Sequence, residues 1–397
     1  MTGTDNPWLR RLPILVASHV VGTANIVSVL AMAPVISKEL DLSATQFGLF
    51  VTAYYGAQAL GSLPAGGLTD RFGIGRTLIG AHLLMAIAAL TLGLADGYYQ
   101  SLLALFLMGL GYSMTNPSTA RGVLDWFPAA RRGMAMGIKQ VGVPIGGVIA
   151  AANGALASWI DWHLIMLGVA VVVVVNGVLC FYLVQYDQPL PPGQRKTPMA
   201  NIREVVRDSN VNVYTALCGM LNAGQASFFG FLTLCLTVVA GASQPLAGLA
   251  VGIAQTASFF ARLVWGVASD RFVGRRKVLK AYVCGAGVVF LALMATIGPG
   301  WGLYYALALA LLLGATVASF APVSQAIAVE MVEPRLAGSV IGYNMVGVHI
   351  GGMIGPLIFG WLVDNGGGYD VAWLVIAAIF GLGVALLVFK FREGDAR

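Results

Sequence analysis

Three basic side chains stand where the chain has almost nothing else charged. Arg121 follows SMTNPSTA, Lys139 sits inside GMAMGIKQVGVPIGG (133–147), and Arg262 sits inside TASFFARLVWGVASD (256–270). A cation held inside lipid costs about 3 kcal/mol or more, so such groups face a cavity and serve function. No Asp or Glu lies clearly inside the same apolar runs, and Asp125 and Glu330 stand at run ends. Three cations without a carboxylate need a counter-charge, and the simplest supplier is an anionic substrate. Depth weighs in the same direction for two of them. At 1.5 Å per helical residue, Arg262 lies roughly 12 Å inside Asp270, and Lys139 lies roughly 10 Å inside Arg132. Arg121 lies only roughly 6 Å inside Asp125, within reach of snorkelling or of a gating role.

The elements that position these groups follow from composition. The 397 residues are 58% hydrophobic and 10% charged, with mean hydropathy +0.81. A soluble domain carries about 25% charged residues, so this chain is read as a polytopic membrane protein with the lipid bilayer as its partner. The four cysteines, Cys180, Cys218, Cys235 and Cys284, are isolated in apolar segments and have no metal-ligand spacing. No nucleophile–base set appears either. The expectation is therefore no catalytic residue, no metal and no cofactor, and not an enzyme. Runs of about 20 apolar residues number twelve: 12–36, 46–68, 77–95, 99–123, 134–156, 163–185, 212–238, 246–268, 278–298, 301–325, 338–362 and 370–390. The first is too long for a signal-peptide core and reads as a retained span. Residues 187–210, DQPLPPGQRKTPMANIREVVRDSN, separate six runs from six. The expected architecture is thus all-α, with bundles at 1–186 and 211–397 and a linker at 187–210.

Basic residues alternate between the breaks. Arg71 and Arg76; Arg131 and Arg132; Arg195, Lys196, Arg203 and Arg207; Arg271, Arg275, Arg276 and Lys277; and Arg335 all fall in even-numbered breaks. Of the odd breaks only the first holds a cation, Lys38. The positive-inside rule places both termini and the even breaks in the cytoplasm, of a cell (inner) membrane protein. The net charge of +6 then anchors topology, and no nucleic acid is implied.

The two halves repeat. GLTDRFGIGR (67–76) returns as VASDRFVGRR (267–276), and GMAMGIKQVGVPIGG returns as GSVIGYNMVGVHIGG (338–352) with eight of fifteen positions identical. Pro117 and Pro322 share that second offset of 205. Parallel six-helix repeats carry a substrate site between them near the midplane. The pattern Gly-x-x-x-Asp-Arg-x-Gly-x-x-Arg at 66–76 resembles the signature loop of the major facilitator superfamily, with a weaker copy at 266–276. The resemblance implies twelve helices, transport by alternating access, and a cytoplasmic latch formed by Gly66, Asp70, Arg71, Arg76, Asp270 and Arg271. Topology anchoring is the plainer reading of the arginines.

Finer resemblances point at the cargo. AxxxARLVWGVASDR (257–271) is similar to the eighth span of monocarboxylate and oxalate–formate porters, which implies that Arg262 reads a carboxylate. FLMGLGYSMTNPSTARGVLDWFPAARRGMAMG (106–137) is similar to the sugar-acid branch of the anion:cation symporters, through Pro117, Arg121, Trp126, Phe127 and Pro128. The first span lacks that branch's Asn-Tyr-x-Asp-Arg and offers only Asn25. GVPIGG resembles a motif of drug–proton antiporters, whose membrane-embedded acids are absent here. Gly133, Gly137, Gly142 and Gly146 also have the spacing of close helix packing.

The expected substrate contacts are Arg262, Lys139 and Arg121, joined by the amides Asn344, Gln255, Gln225 and Asn25. His19 and His349 are candidates for a coupling proton, or for helix–helix hydrogen bonds. His82 and His163 read as structural or interfacial. The resulting expectation is a monomeric transporter of a small organic anion, coupled to a proton or exchanging a counter-anion. A drug–proton antiporter is the alternative.

Overall fold

The computed structural model describes residues 6–188, 198–271, 275–298, 303–333 and 336–393. Every regular element among them is helical. The first half contains α1 (Pro7–Arg10), α2 (Leu12–Ala31), α3 (Ala33–Glu39), α4 (Ala44–Phe72), α5 (Ile74–Gly93), α6 (Tyr98–Ser113), α7 (Thr115–Trp126), α8 (Ala129–Leu156), α9 (Trp162–Leu179) and α10 (Phe181–Val184). Inside the expected linker, α11 (Pro198–Arg207) lies against the second half with Val205 buried. That half contains α12 (Ser209–Val238), α13 (Gln244–Arg271), α14 (Arg276–Leu293), α15 (Leu303–Thr316), α16 (Ala321–Glu330), α17 (Ala337–Leu362) and α18 (Gly368–Phe389).

Among the described residues, nine helical stretches are long and apolar enough to cross a membrane, against the twelve runs of the sequence reading. Three causes separate the counts. α4 is 29 residues long, but its Gly, Ser, Thr and Gln residues dilute its hydropathy. The fourth run is split at Met114 into α6 and α7. Pro117 has no N–H for the Ser113 carbonyl four residues back, so the helix breaks there. Finally, Ser339–Phe389 counts as one stretch, although Asn365 (φ −102°, ψ 32°) and Gly366 (φ +91°) interrupt the helix between α17 and α18.

The repeat read from sequence recurs in the packing. Gly142 and Gly146 of α8 press on the backbone of α2 at Val16 and Val20. At an offset of 205, Gly347 and Gly351 of α17 press on α12 at Thr215 and Gly219. Small residues at this spacing let helix backbones approach without side chains between them. Gly137, by contrast, meets no other element. The end of each half is pinned alike. Asp187 accepts from the N–H groups of Gly75 (2.6 Å) and Arg76 (3.2 Å) at the start of α5, and Glu393 accepts from Lys277 N–H (3.0 Å) at the start of α14. A carboxylate at a helix N-terminus fills unbonded amides and complements the dipole.

Two seams join the halves, α4 against α17 and α8 against α13. We call the face carrying the 66–76 turn the near face and the opposite one the far face. The seams are closed toward the far face. Gly360 packs on Ala44, Gly48 on Pro356, and Gly248 on Ala151 and Ala155. Toward the near face, a β-carbon at Gly66, Gly67, Gly137, Gly266 or Gly342 would find no neighbouring element within 4 Å. The halves therefore part on the near face.

Candidate functional site

Each half places a cation on its proline break. In the first half, Lys139 of α8 is 1% exposed. Its Nζ donates to Asn116 Oδ1 (2.9 Å) and Thr119 Oγ1 (3.2 Å), with the Asn116 carbonyl at 3.5 Å. Thr119 Oγ1 also lies 3.0 Å from His19 Nε2. In the second half, Pro322 has no N–H for the Ala318 carbonyl. Arg262 and Ser258 of α13 fill that vacancy together: Arg262 donates from Nε (3.3 Å) and Nη2 (3.0 Å) and Ser258 from Oγ (2.9 Å) to Ala318 O, and Arg262 Nε also donates to Ser258 Oγ (3.2 Å). A neighbouring helix has re-satisfied the freed carbonyl. Nη1 of Arg262 makes no hydrogen bond with the described residues.

Neither cation forms an ion pair among the described residues. Beside the Lys139 cluster, the Tyr112 ring lies 6.4 Å from that of His19 and its hydroxyl 3.1 Å from Thr23 Oγ1. Tyr112, Asn116 and Thr119 were not singled out from sequence. Their spacing around Pro117, on one face of a broken helix, was the available signal.

The third cation behaves differently. Arg121 donates from Nε to both oxygens of Asp125 (2.8 Å each) and pairs through Nη1 with Asp70 (3.3 Å). Its counter-charges are in place, which corrects the reading of three cations without a carboxylate. Asp70 is thereby tied to the end of α7. Arg71 and Arg76 are exposed, with Arg71 over the Phe72 ring at 5.1 Å. The side chains of Asp270 and Arg271 lie outside the described residues. A further buried cation escaped the reading, Lys280 of α14. It is fully buried and donates to Tyr214 Oη (3.1 Å) and Cys218 Sγ (3.4 Å). It lies inside the run 278–298 but only four residues from Arg276, where it passes for part of the flanking charge.

The remaining candidates spread over the interior. Gln255 fills the space beside Gly147 on the α8–α13 seam. His349 Nδ1 lies 3.2 Å from Ser62 Oγ on the α4–α17 seam. Asn344 is buried, and its Oδ1 has no hydrogen-bond partner among the described residues. Asn25 donates to Met85 O (3.3 Å) and so turns toward α5. Gln225 is half-buried on α12. A cavity of about 750 Å³ along the α8–α13 seam is lined by apolar residues such as Val148, Ala151, Leu249, Ile253 and Phe260, and none of the cations lines it.

The family model for the Major Facilitator Superfamily matches residues 14–240 and 215–397. The chain is 24% identical to a hexuronate transporter of Bacillus subtilis, over 96% of this chain and 94% of that one. It is 22% identical to a probable sulfoacetate transporter of Cupriavidus necator, over 91% and 89% of the two chains. It is 26% identical to a multidrug resistance protein of Proteus mirabilis, over 79% and 78%. Among solved structures, a bacterial homologue of the human lysosomal transporter Spinster aligns with a TM-score of 0.75 at 17% identity, covering 95% of each chain.

Proposed function

Since the chain belongs to the major facilitator superfamily, and is thus a multi-pass membrane transporter and not an enzyme, we propose that it carries a small organic anion by alternating access. The observation that carries this reading is the pair of interior cations, Lys139 buried and Arg262 half-buried, held in opposite halves by neutral oxygens alone. A carboxylate arriving between them supplies the missing charge. Binding it weakens the repulsion between the halves and favours closure around the cargo. The hexuronate and sulfoacetate names of two relatives are in keeping with this chemistry.

The near face is the cytoplasmic one in this reading, so the conformation described is open to the cytoplasm. Import of an anion into a negative-inside cell needs a co-transported cation. We assign that role to a proton, with His19 as its carrier, because His19 shares Thr119 with Lys139. The bundles at 1–186 and 211–397 act as the moving bodies, Asp70 and Arg121 as the near-face latch, and the inner membrane as the location. Export of lipophilic compounds is the second reading, favoured by the multidrug name among the relatives.

A ligand that binds the folded state raises apparent stability by mass action. The test is the melting temperature of the purified protein against monocarboxylates, dicarboxylates, sugar acids, nitrate and lipophilic cations. Stabilisation by a carboxylate, competed by no lipophilic cation, is the expected result. Stabilisation by lipophilic cations alone would overturn the anion reading.

A further inference from the structure

We propose that Asp364, in the turn after α17, is the charged clamp that holds the far-face gate shut by closing the N-terminus of α4 in the opposite half. The inference needs only alternating access and holds whatever the cavity carries.

The start of α4 leaves amides without helical partners. A capping box fills some of them: Ser43 Oγ accepts from Gln46 N–H (3.2 Å), and Gln46 Oε1 accepts from Ser43 N–H (2.9 Å). The amides of Ala44 and Thr45 remain, and both are taken by Asp364. Oδ1 accepts from Ala44 (3.0 Å) and Oδ2 from Thr45 (2.7 Å). One carboxylate of the second half thus completes a helix end of the first. It sits at the positive pole of the α4 dipole, where ionised acceptors bind more strongly than neutral ones.

The backbone delivers Asp364 to this position. Gly360 has no side chain and lies directly on the Ala44 backbone, so the two helices meet one turn before residue 364. The chain then leaves the helix at Asn365 and Gly366, and Asn365 Nδ2 returns to the Trp361 carbonyl at 2.8 Å. Among the described residues, the other hydrogen bonds crossing between the halves on this face come from neutral side chains. Thr52 donates to Met353 O (2.7 Å), Thr233 to Leu30 O (2.7 Å), and Gln244 to Ala31 O (2.8 Å) and Gly154 O (3.0 Å). Opening the far face has to break both Asp364 bonds and expose two helix-terminal amides together.

The test uses the full chain in lipid nanodiscs, spin-labelled at Tyr99→Cys and Tyr304→Cys. These side chains, 83% and 87% exposed, begin α6 and α15 on the far face, while the native cysteines are buried. Pulsed dipolar spectroscopy reads the distance across the gate. Asp364→Asn is expected to raise the wide, far-face-open fraction about two- to fivefold, and Asp364→Glu, which keeps the charge, to fall between. Asp370→Asn, a neighbouring carboxylate without a bond to α4, is expected to change nothing. An unchanged distribution in a monodisperse Asp364→Asn protein would overturn the clamp. Equal opening by Asp370→Asn would also overturn it, because general surface charge would then explain the effect.

Discussion

The guanidinium of Arg262 occupies the hydrogen-bonding place that Pro322 leaves empty at the Ala318 carbonyl. The arginine therefore has a supporting duty as well as a charge, and one substitution removes both. Arg262→Ala alone removes two hydrogen bonds to a buried carbonyl that the Ser258 hydroxyl still reaches at 2.9 Å, and is expected to cost about 1 kcal/mol. Arg262→Ala with Pro322→Ala gives the carbonyl an N–H again. We expect the double variant to regain most of the lost melting temperature without regaining stabilisation by carboxylates. Recovery of carboxylate stabilisation would show that Arg262 has no part in binding.

Lys139 and Lys280 are both buried amines with neutral partners, and only Lys139 is assigned to cargo. Methionine matches their length and removes the cost of a buried charge. Each Lys→Met variant is expected to keep or raise stability, by up to about 2 kcal/mol. Carboxylate-induced stabilisation should disappear in Lys139→Met and persist in Lys280→Met. Thermal unfolding with and without ligand reads both quantities, and loss in both variants would remove the distinction.

Two glycines of the repeated stretches should respond in opposite ways. A methyl group at Gly351 would overlap the Gly219 carbonyl, whereas one at Gly137 meets no other element. Gly351→Ala is expected to destabilise by about 3 kcal/mol or more. Gly137→Ala should stabilise by about 0.5–1 kcal/mol through helix propensity. The comparison of melting temperatures at equal expression decides it.

Acid on the far face should weaken the clamp. Burial raises the Asp364 carboxyl, but hydrogen bonds from Thr45, Ser43 and Ala44 outweigh it and hold the group below its usual value. Depressed in the closed state, the group contributes its full share to closure above the ordinary aspartate value of about 3.9. That share is lost as pH falls through the lowered value. The groups around it on α4 are Ser43, Thr45 and Gln46, and on α18 Tyr369 and Asp370. Of these Tyr369 and Asp370 carry ionisable groups, and Asp370→Asn is the control for the second carboxylate. The label distance should be constant from about pH 5 to 8, widen below about pH 4, and show no acid response in Asp364→Asn.

What was legible in the sequence was whatever is local or repeated. Arg121 and Asp125 are four residues apart on one helix, a spacing that alone suggests a pair. Asp70, 51 positions away, becomes a partner only through the fold. The offset of 205 announced matching stretches, and Gly142, Gly146, Gly347 and Gly351 do make matching contacts. Lys280 was missed because burial depends on Tyr214 and Cys218, which another helix supplies. The support of Arg262 by a carbonyl was hidden for the same kind of reason. Pro322 lies 60 residues on, and nothing in either segment says that α13 and α16 are neighbours. The helix count differed where hydropathy is a poor guide, in the Gly- and Thr-rich α4 and at the Pro117 break.

The two seams also define how the molecule can move. Gly147 meets Gln255 on one seam, and Gly352 meets Tyr55 on the other. The glycines are 205 positions apart and their partners 200, so the repeat exchanges the two contacts. At each point a glycine without a side chain meets a long side chain of the other half, so nothing on the glycine side interlocks. In the alternating access proposed above, a line through both points would serve as an axle, and a small tilt about it would convert an opening at one mouth into a closure at the other.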